Sequence, residues 1–263
     1  MTSLGIALRK TIIGQGWPVV TEYDAFLILR ALSAAGEFEG DAIRRKKGPT
    51  TRDDLRRKAR ELRKARYLRP DEDFYPPEEF QGIQPTGHHF KVLRVSDVPD
   101  APAEDIAALV DPFCYISHLS AMQRLGLTNR SPSELHLTSP APRLWAALRD
   151  QKMAQDYGPL ADLEEDALFP SPPDRVRLER ISLPRTLRGR TVAYHTTKYL
   201  AETRPIRGSF ARVAAIGDVF VEMLEDPDLC GGMGHVIEVW ATEGRSYLEE
   251  IIKAADRHHA GIV

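Results

Sequence analysis

The chain has 263 residues, of which 28% are charged and 42% hydrophobic, and its formal net charge is −2. This composition excludes a disordered, collagen-like or disulfide-rich protein, because the chain contains ample apolar residues and only two cysteines. No apolar run approaches the roughly 18 residues of a membrane span, and Arg9 and Lys10 follow the first apolar residues, which is the wrong order for a signal peptide. We therefore expect a soluble, cytoplasmic protein of about two domains that does not bind membranes.

The small net charge conceals an uneven distribution along the chain. Residues 44–70 contain thirteen lysines and arginines against three acids, a local charge of +10, whereas the remainder carries −12. Such a dense positive segment is typical of a nucleic-acid site, and an acidic remainder would confine contact with phosphates to one part of the molecule. The alternative is a basic helix that is merely solvated.

Three helices are predicted in the N-terminal part of the chain. The first begins after Thr21, which can cap it, and ends near Gly36. A second, short helix is predicted over residues 40–47, before the Gly-Pro pair that breaks it. The third begins after Thr51 and continues to about Tyr67.

Extended segments follow the third helix and predict a β-ribbon. They cover residues 67–69, 73–75 and 90–95, with turns at Pro70-Asp71 and at Pro85-Thr86-Gly87. Three short helices followed by a ribbon is the order of a winged helix-turn-helix. We therefore predict such a domain over residues 1–95, followed by a proline-rich acidic linker over residues 96–104.

The remaining residues, 105–263, are predicted to form a mixed α+β domain. Amphipathic periodicity indicates helices, alternation indicates strands that could pair at 176–183 and 191–197, and three prolines among acids indicate a loop at 162–174. The predicted helices cover residues 105–110, 115–125, 144–153, 213–224, 236–242 and 247–255, and a further strand covers 134–138. The fold class is thus α+β, with an N-terminal winged helix-turn-helix and a C-terminal α+β domain.

The helix beginning at Thr51 is the predicted recognition helix, whose N-terminal residues would face base edges in the major groove. The predicted base contacts are Thr51, Arg52, Arg56 and Arg57. The predicted phosphate contacts further along the helix are Arg60, Arg63 and Lys64. The predicted contacts to the flanking backbone are Arg44, Arg45, Lys46 and Lys47, with Arg69 and Lys91 on the ribbon. RNA is the less favoured partner, because no aromatic RNP-type strand or GxxG clamp is visible.

Several residues resemble reactive groups, but their spacing does not indicate a reaction. Cys114 and Cys230 have no partners at zinc-ligand spacing, and the glycines at 231, 232 and 234 lack the lysine of a phosphate-binding loop. His118 lies near Cys114 and Ser117 in sequence, but a nucleophile and its base must be placed in space. We therefore predict no catalytic residue, no metal and no cofactor, and a protein that is not an enzyme.

Two segments resemble the AbiEi-type antitoxin family. Residues 115–128, Tyr-Ile-Ser-His-Leu-Ser-Ala-Met-Gln-Arg-Leu-Gly-Leu-Thr, are similar to the opening of that family's C-terminal domain. Arg212-Val-Ala, followed by residues 222–232, is similar to a later segment of the family that ends in Gly-Gly. The chain departs from the family pattern at residues 216–218, Ile-Gly-Asp in place of Pro-Glu-Arg, and at Glu222 in place of aspartate.

The resemblance implies an antitoxin of a bacterial type IV toxin–antitoxin system that acts in phage defence. Such a protein binds inverted repeats at its own promoter, represses its operon, and counteracts a nucleotidyltransferase-like toxin without forming a stable complex with it. Two alternatives stay open from the residues. One is a winged-helix transcriptional regulator whose second domain senses a ligand, and the other is an enzyme built on the second domain.

Overall fold

The computed structural model describes residues 1–43, 48–76, 90–165 and 175–260, and confirms a mixed α+β protein. The chain forms two compact units: unit 1 comprises residues 1–101 and 146–182, and unit 2 comprises residues 102–145 and 183–263. The change of unit after Ala101 falls within the predicted linker at 96–104. Residues 146–182, however, group with the N-terminal unit, so unit 2 differs from the continuous domain predicted over 105–263.

In its N-terminal part, residues 1–101, unit 1 combines three helices with a small antiparallel sheet. The helices are α1 (Ser3–Gly14), α2 (Glu22–Ala35) and α3 (Arg52–Lys64). The sheet has the order β1-β5-β4, formed by β1 (Val19–Thr21), β4 (Leu68–Pro70) and β5 (Val92–Val95). A separate hairpin pairs β2 (Glu37–Phe38) with β3 (Asp41–Ala42).

The predicted helix starts at Thr21 and Thr51 are confirmed. Each threonine is an N-cap whose side-chain oxygen accepts a backbone N–H three residues later, from Asp24 and Asp54 respectively. The predicted end of α2 is also confirmed, since Gly36 adopts a left-handed conformation with φ of 70° and its N–H closes the helix on the Leu32 carbonyl. These local signals satisfy backbone groups that the helix itself leaves unpaired.

The short helix predicted over residues 40–47 is wrong where the structure describes it. Residues 41–42 pair with 37–38 in the β2–β3 hairpin. The two residues at its tip, Glu39 and Gly40, have φ of 52° and 84°, as in a hairpin turn whose central residues are both left-handed. Since α2 ends at Gly36 and this turn follows at once, no helix begins at the described residues 37–43. A helix that the sequence did not predict, α1, precedes β1.

The predicted ribbon is correct in part. Strands β4 and β5 pair antiparallel, with Arg69 opposite Arg94. Residues 73–75, predicted as extended, form a turn instead, and the backbone N–H of Asp73 donates to Oδ1 of Asp71. Strand β1 adds an unpredicted third strand beside β5. The turn predicted at residues 85–87 and the pair His88-His89 lie outside the described residues.

Residues 146–182 belong to unit 1 because a buried tyrosine ties them to α2. Tyr157 lies on α6 (Pro142–Glu165), and its ring lies 6.4 Å from that of Phe26 and 4.9 Å from the guanidinium of Arg30. Its hydroxyl donates to the carbonyl of Val176 at 2.7 Å, and Tyr23 donates a 2.8 Å hydrogen bond to Asp156. Aromatic burial of this kind contributes substantially to a core.

Unit 2 is built on a six-stranded mixed sheet of order β10-β11-β6-β7-β9-β8. Its strands are β6 (Tyr115–Ile116), β7 (Leu135–Pro140), β8 (Thr186–Leu187), β9 (Arg190–Thr197), β10 (Thr203–Pro205) and β11 (Arg212–Ala214). Its helices are α4 (Ala103–Val110), α5 (His118–Arg124), α7 (Ile216–Glu225), α8 (Met233–Glu243) and α9 (Leu248–Ala260). Strands β7 and β9 are parallel, and β6 and β7 are antiparallel.

The elements predicted over residues 105–263 are largely present in the described part of the chain, with three corrections. The helix predicted from 115 begins only at His118, since Tyr115–Ile116 is a strand. The helix predicted from 213 begins at Ile216 after the strand Arg212–Ala214. Residues 176–183 form no strand, so β9 pairs with β7 and β8 and the predicted pairing is wrong. Pairing between distant segments is not encoded in local alternation.

Within the part of the chain that the structure describes, we find no helix with the length and apolarity needed to cross a membrane.

Candidate functional site

The start of α3 is fixed by a capping box. The Thr51 hydroxyl donates to Oδ2 of Asp54 at 2.8 Å, and the same carboxylate accepts the Thr51 backbone N–H at 3.0 Å. The Asp54 N–H donates in return to the Thr51 hydroxyl at 3.3 Å. The hydroxyl group of Thr51, which was predicted to contact a base, is thus engaged in capping the helix.

Arg52, the second predicted base contact, binds within the protein. Its Nε and Nη2 donate to the two carboxylate oxygens of Glu22 at 2.7 and 2.8 Å. The Arg52 side chain is 33% exposed and that of Glu22 only 13%. Since Glu22 and Arg52 are the first residues of α2 and α3, this bidentate pair joins the N-terminal ends of the two helices.

The next two predicted base contacts form ion pairs along α3 itself. Arg56 Nη1 lies 3.0 Å from Oδ1 of Asp53, and Arg57 pairs with Asp54. The Arg57 side chain is 67% exposed, so its guanidinium is accessible in spite of the pair, whereas that of Arg56 is 35% exposed. The Asp53 side chain is 82% exposed and that of Asp54 only 10%, so Arg56 pairs with a solvent-facing carboxylate and Arg57 with a buried one.

The predicted phosphate contacts on α3 differ in their surroundings. Arg60 and Lys64 are exposed. Arg63 is half-buried, with its guanidinium 4.6 Å from the centre of the Phe90 ring, and burial together with the charge of Arg60 lowers the Arg63 pKa. Arg63 therefore packs on the domain, and Arg60 and Lys64 face solvent.

The remaining predicted DNA contacts lie on β4, before β5, or outside the described residues. Arg69 pairs with Glu72 at 2.6 Å, with both side chains more than half exposed. Lys91 pairs with Glu179 at 2.5 Å. The predicted backbone contacts Arg44, Arg45, Lys46 and Lys47 lie outside the residues that the structure describes.

The accessible cations of α3 share one face of the helix. Arg57, Arg60 and Lys64 follow a spacing of three and four residues, and we call them the cationic face of α3. Leu55 and Leu62, on the opposite side, are buried in unit 1. The helix is thus held by its apolar side and presents three positive side chains to solvent.

Unit 2 contains a cavity of about 380 Å³, which we call the polar cavity. Imidazole, carboxylate, phenol and hydroxyl groups line it, and these groups come from segments more than one hundred residues apart. Its principal lining residues are His118, His195, His258, Glu222, Glu225, Asp226, Tyr115, Tyr194, Tyr199, Thr138, Thr196 and Thr197.

His118 is the best-fixed side chain of the polar cavity. It begins α5 with a left-handed φ of 49°, a conformation that costs a non-glycine residue free energy. Its backbone N–H donates to Oε2 of Glu222 at 2.8 Å, and its Nδ1 lies 2.9 Å from Oγ of the fully buried Ser117. Its Nε2 lies 3.9 Å from Oδ2 of Asp226. The buried contacts hold the strained conformation in place.

Three imidazoles lie together at this site. His136 Nδ1 lies 3.1 Å from His195 Nε2, and the His118 and His195 ring centres are 4.9 Å apart. Burial lowers the pKa of His118 to about 3, with the two neighbouring histidines as further causes. Burial likewise lowers the pKa values of His136 and His195. All three rings are therefore neutral near pH 7 and add no positive charge to the cavity.

Glu222 is the buried acid of the polar cavity. Burial raises its pKa to about 8, the carboxylates of Asp218, Glu225 and Asp226 act in the same direction, and the N–H of His118 acts against them. Nearby, Asp218 accepts a hydrogen bond from Arg257 at 2.7 Å. A protonated carboxyl group beside neutral imidazoles can donate or accept a proton, which is a property common in functional sites.

Sequence reasoning missed this cavity. His118 was considered beside Cys114 and Ser117, whereas the structure brings it to Glu222, His195 and Asp226. Cys114 and Cys230 are free and fully buried. Across the described ranges, no group of three or more histidine, cysteine or acidic side chains is arranged to hold a metal ion. The sequence could have indicated this group of side chains only if the packing of the strands and helices of unit 2 had been known.

Neither a protein-family model nor a curated protein matches the chain. Residues 115–128 and residues 222–232 contact each other in unit 2. Their meeting point is the hydrogen bond from the His118 N–H to Glu222, at the polar cavity.

Proposed function

We propose that this protein is a DNA-binding antitoxin of the AbiEi type that represses its own operon. Unit 1 acts as a winged helix-turn-helix on promoter inverted repeats, with α3 as the recognition helix. Unit 2 counteracts a nucleotidyltransferase-like toxin without forming a stable complex with it. The antitoxin part of this proposal depends on the resemblance in sequence alone.

The observation that carries the DNA-binding proposal is the cationic face of α3. Arg57, Arg60 and Lys64 project from a helix whose other side is buried and whose start is fixed by the capping box and the Arg52–Glu22 pair. Phosphate binding needs cations on a rigid, accessible element, since their attraction to the duplex provides most of the affinity. The antiparallel pair β4–β5 that follows α3 is compatible with a wing.

The exposure and ion pairs of the arginines on α3 distinguish those that can reach DNA from the one that positions the helix. Arg57 and Arg60 are the accessible candidates for base and phosphate contact, whereas Arg52 supports α3 through Glu22. We therefore assign Arg52 a positioning role within the proposed interface. DNA contact by Arg44 to Lys47, outside the described residues, stays a prediction.

A mobility-shift titration with the DNA upstream of the gene tests the DNA-binding proposal. The triple variant Arg57→Ala, Arg60→Ala, Lys64→Ala should weaken binding by about 10- to 100-fold and reduce the slope of log K against log salt by about 2, one for each of the predicted phosphate contacts Arg60 and Lys64. The matched control replaces three exposed arginines of unit 2, Arg204, Arg207 and Arg245, by alanine. Equal effects of the two triple variants would reject α3 as the interface.

Co-expression with the product of the adjacent gene tests the antitoxin proposal. The full chain should restore growth when that product is toxic. The α3 triple variant should also restore growth, because repression and antitoxicity are assigned to different units. Full-length variants are needed, since unit 2 is discontinuous and a fragment of residues 96–263 would carry residues 146–182 without their partners in unit 1. Failure of the full chain would remove the antitoxin proposal and leave DNA binding.

The second candidate function is a ligand-sensing transcriptional regulator without a toxin partner. The polar cavity favours it, because its volume of about 380 Å³ falls within the range of small-molecule sites and several polar groups converge in it. The nature of the adjacent gene distinguishes the candidates: a nucleotidyltransferase there supports the antitoxin.

A further inference from the structure

The polar cavity has a negative electrostatic character. Glu225 and Asp226 line it with side chains that are 49% and 62% exposed. Glu222 lines it as well, but burial raises its pKa to about 8, so this carboxyl group is largely uncharged near pH 7. No lysine or arginine lines it among the residues that the structure describes. An anion would therefore meet carboxylates without a compensating cation, and a cation would be attracted.

The remaining walls favour an organic cation over a bare metal ion. Tyr115, Tyr194 and Tyr199 contribute aromatic rings, whose faces attract ammonium groups. The volume of about 380 Å³ far exceeds what a single ion needs. In addition, no three donors among the described histidine, cysteine and acidic residues are arranged around one point as metal ligands.

We propose that the polar cavity of unit 2 binds a small aliphatic amine, whose ammonium group lies between the Asp226 and Glu225 carboxylates and the tyrosine rings. The imidazoles of His118 and His195, whose pKa values burial lowers, line the cavity without opposing the positive charge. The imidazole of His258 lines it as well, with Nδ1 3.3 Å from Oε1 of Glu225, so the ammonium group would approach Glu225 beside this ring. This inference names the ligand class for the second candidate function and rests on that candidate. It does not depend on DNA binding.

Calorimetric titration of the full-length protein with putrescine and spermidine, without DNA, tests the proposal. We expect saturable 1:1 binding of at least one amine and none of 1,4-butanediol, the neutral analogue of putrescine. The variant Glu225→Gln, Asp226→Asn should weaken binding at least about tenfold, since each lost charge contact contributes roughly that factor. The matched control Glu249→Gln, Asp256→Asn removes two exposed charges of α9 and should bind as the parent protein does.

A second measurement locates the amine in the unaltered protein, in case the cavity variant does not fold. In carbon–proton NMR spectra, the ring signals of His118 and His195 should shift on addition of the amine, while that of His235, which does not line the cavity, should stay in place. Absence of amine binding, equal loss in both double variants, or saturable binding of zinc or adenosine monophosphate in place of the amine would overturn the proposal. Failure here would leave the mobility-shift result on α3 unaffected.

Discussion

At the scale of single residues, Arg52 illustrates how a predicted base contact can serve to position its helix. Its replacement by alanine removes two hydrogen bonds to Glu22 and leaves that largely buried carboxylate without this partner. We expect a loss of about 1–3 kcal/mol in the free energy of unfolding, the range for hydrogen bonds to charged groups. Urea titration of the variant and the parent protein measures this difference in unfolding free energy.

The matched control for Arg52 is Arg60→Ala, which removes an exposed arginine from the same helix. Its effect on unfolding should remain within about 0.5 kcal/mol, as is usual for surface substitutions. Its effect on DNA affinity should be the larger of its two effects. Equal destabilisation by the two substitutions would contradict the positioning role of Arg52.

The buried carboxyl of Glu222 predicts a pH dependence of stability. Its pKa is about 8 in the folded protein against an ordinary value of 4.5, so the folded state holds a proton that the unfolded state has lost between these two pH values. Stability should therefore fall as the pH rises through this window, by at most about 1.4 kcal/mol per pH unit from this group. The lowered pKa of His118 has the opposite effect below about pH 6.5.

The variant Glu222→Gln isolates the contribution of this carboxyl group. Glutamine keeps an acceptor for the His118 N–H but does not ionise, so the stability of the variant relative to the parent should increase between pH 6.5 and 8. Thermal unfolding over pH 5–9 measures the difference. Glu249→Gln, which removes an exposed carboxylate of α9, is the control, and a pH-independent difference between Glu222→Gln and the parent would refute the assignment.

Among helices and strands, the features predicted correctly from the sequence are those that depend on neighbouring residues, such as helix caps. The caps at Thr21 and Thr51 and the stop at Gly36 are confirmed, since each depends on residues within one turn. The hairpin at 37–42 was missed, because Glu39 stands in a left-handed position that usually selects glycine or asparagine. Strand β1 was missed as well, since three residues give too short a pattern.

Gly217 allows α7 to pack closely against α9, a role that the sequence alone does not indicate. In sequence it weakens the helix prediction, but an added Cβ would lie 2.1 Å from the Glu250 carbonyl oxygen of α9. Gly217→Ala must therefore force α7 and α9 apart. We expect a loss of about 1–3 kcal/mol in unfolding free energy by urea titration, the usual cost of overpacking.

The control for Gly217 is Gly234→Ala in α8, where the added methyl group would meet no atom within 4 Å. Alanine is the better helix former and should leave stability unchanged or raise it by about 0.5–1 kcal/mol. A similar loss in both variants would exclude the close contact with Glu250 as the cause of the loss at Gly217.

At the scale of the whole molecule, the candidate site of unit 2 escapes prediction because its parts are far apart in sequence. His118 and Glu222 are separated by 104 residues along the chain, and the register of β7 with β9 places His195 opposite Thr138. Neither contact can be predicted from hydrophobic periodicity, which indicates the buried face of a helix or strand but not the segment that packs against it. The basic segment at 44–70, in contrast, is visible in the sequence because its charges are contiguous.

The division into two units predicts which segments unfold together. Residues 146–158 of α6 should exchange amide hydrogens in step with α2, because Tyr157 packs on Phe26 and Arg30 of unit 1. Leu29→Ala in α2 removes a fully buried side chain, at a cost of about 2–5 kcal/mol, and should accelerate exchange in 146–158. Hydrogen exchange followed by mass spectrometry measures each segment.

The matched variant in unit 2 is Leu137→Ala, which removes an equally buried leucine from β7. It should accelerate exchange in β7 and β9, which it destabilises directly, and leave residues 146–158 close to their original rates. If Leu137→Ala accelerated residues 146–158 as much as Leu29→Ala does, the two units would unfold as one. The grouping of residues 146–182 with residues 1–101 would then not correspond to a separate unit of cooperative unfolding.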